Sequence, residues 1–183
     1  MKGIEQLTRQ ILRDIQVELQ DEFDRNFSRQ GFFGEQWARR KSPIAKAGSA
    51  ILTGTGALRR SISSRISGNS ITFSSDLPYA ALHNEGGDIR VTPRMRRFFW
   101  AKYYAARGSF GFRKDGRKRQ NKRNAYLTEE AAFWRAMALK PVGSVIKMPR
   151  RQFLGTHPKL EQLVREIIEE NVEQAIRGIK ISD

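Results

Sequence analysis

The chain has 183 residues, 39% of them hydrophobic and 10% aromatic, with only six prolines; that is enough apolar surface to offset the ordering of one core, and it excludes wholesale disorder. Cysteine is absent, which excludes disulfides, thiolate metal sites and a cysteine nucleophile, and fits a reducing cytoplasm. A formal charge of +15 points to polyanionic partners, whether DNA, RNA or an acidic protein surface. No apolar run approaches the roughly 18 residues of a membrane span, and the opening MKGIEQLTRQ has no apolar signal stretch, so a soluble, unsecreted protein is expected.

In chain order, Ile4, Leu7, Ile11, Ile15, Leu19, Phe23 and Phe27 recur at steps of three or four and predict an amphipathic helix over about 3–28. In LTGTGALRR (52–60) the glycines lack the spacing of a phosphate-binding loop, and a flexible entry to a short element led by Leu58 is expected. Around Gly68 and Asn69, Ile62, Ser64 and Ile66 alternate with polar neighbours, as do Ile71 and Phe73. Period two on both sides of such a pair predicts a β-hairpin. DIRVT (88–92) and SVIKM (144–148) read as two further short strands. HPKLEQLVREIIEENVEQAIRGIK, with Pro158 near its start and Gly178 near its end, predicts a closing amphipathic helix. The fold class is α+β: a small antiparallel sheet packed against long N-terminal and C-terminal helices.

The fifty residues from about 93 to 143 are too long for an ordinary connection between strands. They read as an inserted excursion within a single domain spanning 1–183. PRMRRFFWAKYYAARG forms one helix, TEEAAFWRAMAL a second with Thr128 as its N-cap, and SFGFRKDGRKRQNKRN a basic tip between them. The tip has too few apolar residues to order by itself and is expected to order on assembly. Charge is unevenly spread. Residues 1–27 hold four basic and six acidic groups, residues 157–183 again four and six, and residues 90–126 thirteen basic groups against Asp115 alone. Arg113, Lys114, Arg117, Lys118, Arg119, Lys122 and Arg123 are the candidate contacts to an acidic partner or to DNA.

Chemistry is thinly supplied. His83 and His157 are the only histidines, and His83 with Glu85 is the one local pair that resembles an acid/base constellation. Neither a positioned nucleophile nor a second acid accompanies it. The simpler reading has His83 ending a short helical turn before Gly86 and Gly87. No catalytic residue, metal site or cofactor is assigned.

Three segments in order, ILTGTGALRRSI (51–62), SDLPYAALHNEGGDI (75–89) and MPRRQFLG (148–155), lie between the two long helices. With FFGEQWARRKSP (32–43) they resemble the phage virion morphogenesis family, the tail-completion or head-to-tail joining proteins of tailed bacteriophages. The likeness covers about 1–92 and 144–180 and leaves the excursion unassigned. It implies a structural protein, not an enzyme, made in the host bacterial cytoplasm and built into the virion neck as a homo-oligomeric ring, a hexamer. One face of the ring would meet the tail terminator or tail tube and the other the head connector on the portal side, with DNA in the channel and no membrane contact. Phe32, Phe33 and Trp37, aromatics beside a helix end, are candidate interface anchors. The competing reading is a sequence-independent nucleic-acid-binding protein acting through residues 90–126. A hydrolase built on His83 and Glu85 comes third.

Overall fold

Seven apolar residues at helical spacing wind the start of the chain into α1 (Lys2–Arg29) in a computed structural model that describes residues 2–40 and 50–180. Two short strands follow, β1 (Gly31–Phe32) and β2 (Glu35–Gln36), then α2 (Ala57–Arg60), β3 (Ile62–Ser67) and β4 (Ser70–Ser75). After α3 (Ala80–Glu85) come β5 (Gly87–Arg90), α4 (Pro93–Gly108), α5 (Lys122–Ala138), β6 (Val145–Met148) and α6 (Pro158–Lys180). The α+β class holds. Among the described residues the strands do not share one sheet but form three antiparallel two-stranded ribbons, β1–β2, β3–β4 and β5–β6.

The chain divides into two compact units. The first comprises residues up to Ala38, Ala50–Glu85 and Arg150 onward. Burial deepens along α1: Ile4 is exposed, whereas Ile15, Leu19, Phe23 and Phe27 are buried. Onto that stripe pack Leu58, Ile62, Ala80 and Phe153, with Ile71, Phe73, Leu160, Val164 and Ile167 closing its margins. The rings meet edge-on or tilted: Phe23 on Phe73 at 5.0 Å, Phe27 on Trp37 at 5.5 Å and on Phe153 at 5.4 Å. Each fully buried Phe removes enough apolar surface to contribute about 1.5–3 kcal/mol.

The β3–β4 hairpin pairs Ile62 with Ser75 through to Ser67 with Ser70, which leaves Gly68 and Asn69 as the two-residue turn. Gly68 has φ +57, the left-handed start that a tight hairpin turn requires and that glycine adopts without strain.

The β1–β2 ribbon was not apparent in the sequence. Its two turn residues are Phe33 (φ 48) and Gly34 (φ 105), both left-handed as a type I′ turn demands. A bulky residue in that position is no turn signal. The Phe33 ring is held against His157, stacked at 4.8 Å, and edge-on to Phe32 at 4.9 Å.

The second unit contains Gly86–Pro149, with Arg39 and Arg40. DIRVT and SVIKM pair with each other: Gly87 faces Met148 and Arg90 faces Val145. Between those strands α4 and α5 form the expected helical hairpin, with Phe99, Ala106, Leu127, Ala131 and Ala138 buried. Phe99 stacks on Trp134 at 5.8 Å. The base of the excursion is stitched by Val91 N to the Ser144 carbonyl and Gly143 N to the Val91 carbonyl, both 2.8 Å.

One boundary differs from the sequence reading. The second helix starts at Lys122, not near Thr128. Asn121 is its N-cap, its side chain accepting from Asn124 N at 2.8 Å, and Thr128 lies a turn and a half inside, donating its hydroxyl to the Asn124 carbonyl at 2.6 Å. Asn and Thr both cap helices; here the earlier cap wins because Leu127 extends the buried side of α5 toward its start.

Candidate contact surfaces

The segments that carry the resemblance converge in the first unit. Trp37 donates its indole N–H to the Gln152 carbonyl at 2.6 Å, and Arg151 Nε donates to the Ala38 carbonyl at 2.9 Å. Arg151 N donates to the His83 carbonyl at 2.8 Å. The Asn84 side-chain oxygen accepts from Phe153 N at 2.9 Å and Leu154 N at 3.0 Å. Gln30, at the end of α1, hydrogen-bonds both polar backbone groups of Ile51. YAALHNE, MPRRQFLG, ILTGTG and FFGEQW are thus one cross-braced scaffold. Residues 41–43 of FFGEQWARRKSP lie outside the described residues.

Phe32, Phe33 and Trp37, the expected anchors, belong to this core at 3%, 8% and 6% exposure. Phe27 meets both Trp37 and Phe153, and Lys159 Nζ caps the Phe33 carbonyl at 3.1 Å. The rings therefore face inward in the free chain. His83 sits in α3 as expected, with its carbonyl engaged by Arg151. Among the described residues no group of three or more His, Asp or Glu is arranged to hold a metal ion, and no helix is long and apolar enough to cross a membrane.

All seven predicted basic residues lie at the tip of the second unit, and all but Lys118 are exposed. The tip is not a bare arm. Arg113 N donates to the Arg117 carbonyl at 2.8 Å and Gly116 N to the Arg113 carbonyl at 3.0 Å, closing a turn, and Phe112 bridges Lys118. Its anchor is Asn124, buried at the head of α5. The Asn124 amide accepts from Gly111 N at 2.9 Å and donates to the carbonyls of Gly111 and Arg119, each at 2.7 Å. One side chain thus satisfies three backbone groups of a loop short of apolar residues, which is how the tip orders without a core of its own.

Two of the seven cations serve the loop itself. Lys118 Nζ lies 3.7 Å from the Phe110 ring centroid, a cation–π contact, and meets the Thr128 hydroxyl. Arg119 Nε donates to the Phe112 carbonyl at 2.9 Å. Arg113, Lys114, Lys122 and Arg123 form no ion pair among the described residues. Asp115, the lone acid, approaches Arg117 at 4.0 Å. These cations project into water and are available to a polyanion.

Two features had no sequence signal. In the first unit α1, the β3–β4 hairpin and α6 enclose an apolar groove of about 580 Å³, lined by Ile11, Ile15, Phe73, Leu160, Val164 and Ile168 among others. In the second unit α4 turns Phe98 and Tyr104 outward, at 51% and 62% exposure. Periodicity marks α1 and α6 as amphipathic but does not say which stripe stays uncovered.

Ion pairs in the first unit stiffen α1. Glu22, buried, takes Arg25 at 2.6 Å and Arg29 at 2.9 Å. Burial pushes its carboxyl up, but the hydrogen bonds from Arg25 and Arg29 outweigh that and hold it below the ordinary glutamate value. Asp24 is held below the ordinary aspartate value chiefly by its hydrogen bonds from Arg59, which ties α2 to α1.

The model of the phage virion morphogenesis family matches residues 4–127. No curated protein and no solved structure matches the chain. The matched span runs through α4 and the basic tip and ends before β6. The likeness to the family therefore extends into the excursion, where the sequence reading had placed its departure, and MPRRQFLG and α6 lie beyond the matched residues.

Proposed function

The chain belongs to the phage virion morphogenesis family, so its work lies in building a bacteriophage virion, and on that premise we propose that it is a structural protein of the neck. It completes the tail and joins it to the head as a ring between the tail terminator or tube and the head connector. The observation that carries this reading is the cross-braced first unit. Widely separated segments are locked together by buried side chains and backbone hydrogen bonds, and what faces outward is an apolar groove and charged helix faces. That suits a part that works by shape and assembly.

On this reading residues 1–183 act as one tail-completion domain, with a basic excursion at about 93–143. Identical copies associate through unlike surfaces, an arrangement that closes into a ring when the rotation between neighbours fits; six copies is the expected number. One face then meets the tail terminator or tube and the other the portal-side connector, and the channel admits DNA. Phe32, Phe33 and Trp37 act from beneath the surface by keeping the corner after α1 rigid.

The test is assembly without the protein. Electron microscopy of lysates from a phage lacking the gene should show separate heads and tails, with joined particles restored by the wild-type gene. Joined particles in its absence would overturn the proposal.

A second reading, sequence-independent nucleic-acid binding, is favoured by one observation: six exposed cations gathered on a folded tip beside a single acid. Binding of the full chain to duplex DNA would then fall steeply with salt, by about 0.9 in log K per log unit of salt for each phosphate neutralised. Deleting 109–126 would abolish both binding and particle assembly. Assembly that survives this deletion removes the second reading and leaves the first intact.

A further inference from the structure

We propose that the outward face of α4 in one copy docks on the outward ridge of α6 in the next, and that this is the contact by which copies of the chain join head to tail. The inference rests on the ring reading and names the two surfaces that make the ring.

The α6 surface is an apolar ridge in an acidic setting. Ile168, Val172 and Ile176 are spaced four apart, so they stand one above another on the helix, and they are 40%, 37% and 49% exposed. The opposite flank of the helix is spent on α1 through Leu160, Leu163, Val164 and Ile167. Ile168 also forms one wall of the 580 Å³ groove, so the ridge runs into a ready apolar socket. Between residues 161 and 173 the helix carries five glutamates, all exposed, against Arg165 alone. Glu169 and Glu173 fall on the side of the ridge away from α1.

The α4 surface is its counterpart in shape and charge. With Phe99 and Ala106 turned into the hairpin, the other side of the helix presents Phe98, Ala101, Tyr104 and Ala105 to solvent. The two alanines leave a shallow strip with a ring at either margin. Around the strip α4 has five cations and no acid, with Arg94, Arg97 and Lys102 exposed, and Lys102 lies over the Phe98 ring at 5.5 Å.

A ridge of branched aliphatics fits a strip floored by alanine, as packed helices do when small residues face large ones. Aromatic anchors seated in an apolar pocket and ringed by opposite charges are the usual composition of an interface centre. Each surface differs from its partner and neither matches itself, so the contact is head-to-tail, the type that a ring requires.

The charges supply the test. Glu169→Lys with Glu173→Lys puts like charges across the contact. So does Arg97→Glu with Lys102→Glu. All four positions are exposed, and the contacts disturbed, the Glu173–Arg177 ion pair at 3.1 Å and Lys102 over the Phe98 ring at 5.5 Å, are surface contacts of little weight. Circular dichroism should show both full-length variants folded. Each variant alone should sediment as a monomer where the wild type forms its ring. Mixed in equal amounts they should recover the wild-type oligomer, because every contact in an alternating ring is again of opposite charge.

The absence of cysteine makes a second measurement clean. Tyr104→Cys and Val172→Cys variants, mixed and treated with a short bismaleimide, should give linked dimers containing both, with none from either variant alone. Linking within a single variant, or a ring that ignores both charge reversals, overturns this inference while the ring reading stands. A wild-type chain that stays monomeric at about 100 µM, a concentration well above the Kd of a specific protein contact, overturns both.

Discussion

The indole of Trp37 and the carbonyl of Gln152, 115 positions apart in the chain, share a hydrogen bond of 2.6 Å. Between them they join the chain just after β2 to the segment before the last helix. Trp37→Phe keeps most of the packing against Phe27 but leaves the Gln152 carbonyl without its donor, which should cost about 1–3 kcal/mol. Trp37→Ala adds a cavity, and a loss of about 3–5 kcal/mol is expected. Urea unfolding of both variants checks the order, and equal stabilities would mean that the hydrogen bond and the ring are not the fastening they are taken to be.

Asn124→Ala removes the single side chain that satisfies the backbone of Gly111 and Arg119. Hydrogen exchange at 109–121 should speed up by about tenfold or more, corresponding to the loss of one to two well-made hydrogen bonds, while exchange in the middle of α4 and α5 stays slow. Collapse of protection throughout the hairpin would show that the tip and the helices are one cooperative unit.

The Asp24–Arg59 pair predicts a definite pH dependence. A carboxyl held below its ordinary value in the folded chain stabilises the fold above the unfolded value, 3.8 for aspartate. That contribution is lost as pH falls through the folded value. Asp24→Asn should therefore lower stability at pH 7, by about 1 kcal/mol or less because both side chains are partly in solvent. Below the folded value it should match the wild type. Thermal melts in a series descending from pH 7 follow the difference as it closes; a variant equally weakened throughout the series would point to lost packing and not to the charge.

Gly31→Ala should be among the most damaging small substitutions. An added Cβ would lie 2.5 Å from the Glu35 carbonyl oxygen across the β1–β2 ribbon, a contact backbone atoms can relieve only by opening the corner. A loss of about 1–3 kcal/mol, as for overpacking, is expected in chemical denaturation, with the β3–β4 hairpin unaffected.

Both long helices and the β3–β4 hairpin were legible because each is specified locally. Apolar steps of three and four fix a helix, and alternation about a Gly-Asn pair fixes a two-residue turn. The pairing of DIRVT with SVIKM could not be read as a separate ribbon, since period two identifies a strand and not its neighbour. The β1–β2 corner was hidden because it depends on Phe33 in a left-handed conformation, supported by His157 from 124 positions away. The burial of Phe32, Phe33 and Trp37 was hidden by the same dependence on distant neighbours: aromatics after a helix suit a contact or a core equally in sequence, and the packing of Trp37 on Phe27 and its bond to Gln152 show only in the fold. At the basic tip the cations were evident from composition, whereas the buried Asn124 that shapes it is one polar residue in a basic run.

The stitched base of the excursion, where Val91 N donates to the Ser144 carbonyl and Gly143 N to the Val91 carbonyl at the mouth of the β5–β6 ribbon, separates what can vary from what cannot. Everything outboard of that seam can lengthen, shorten or alter its charge without moving the register of the strands beneath it. A change of neighbour in the virion can thus be met by altering the outboard hairpin alone, while the pairing beneath it, Gly87 with Met148 through Arg90 with Val145, is kept.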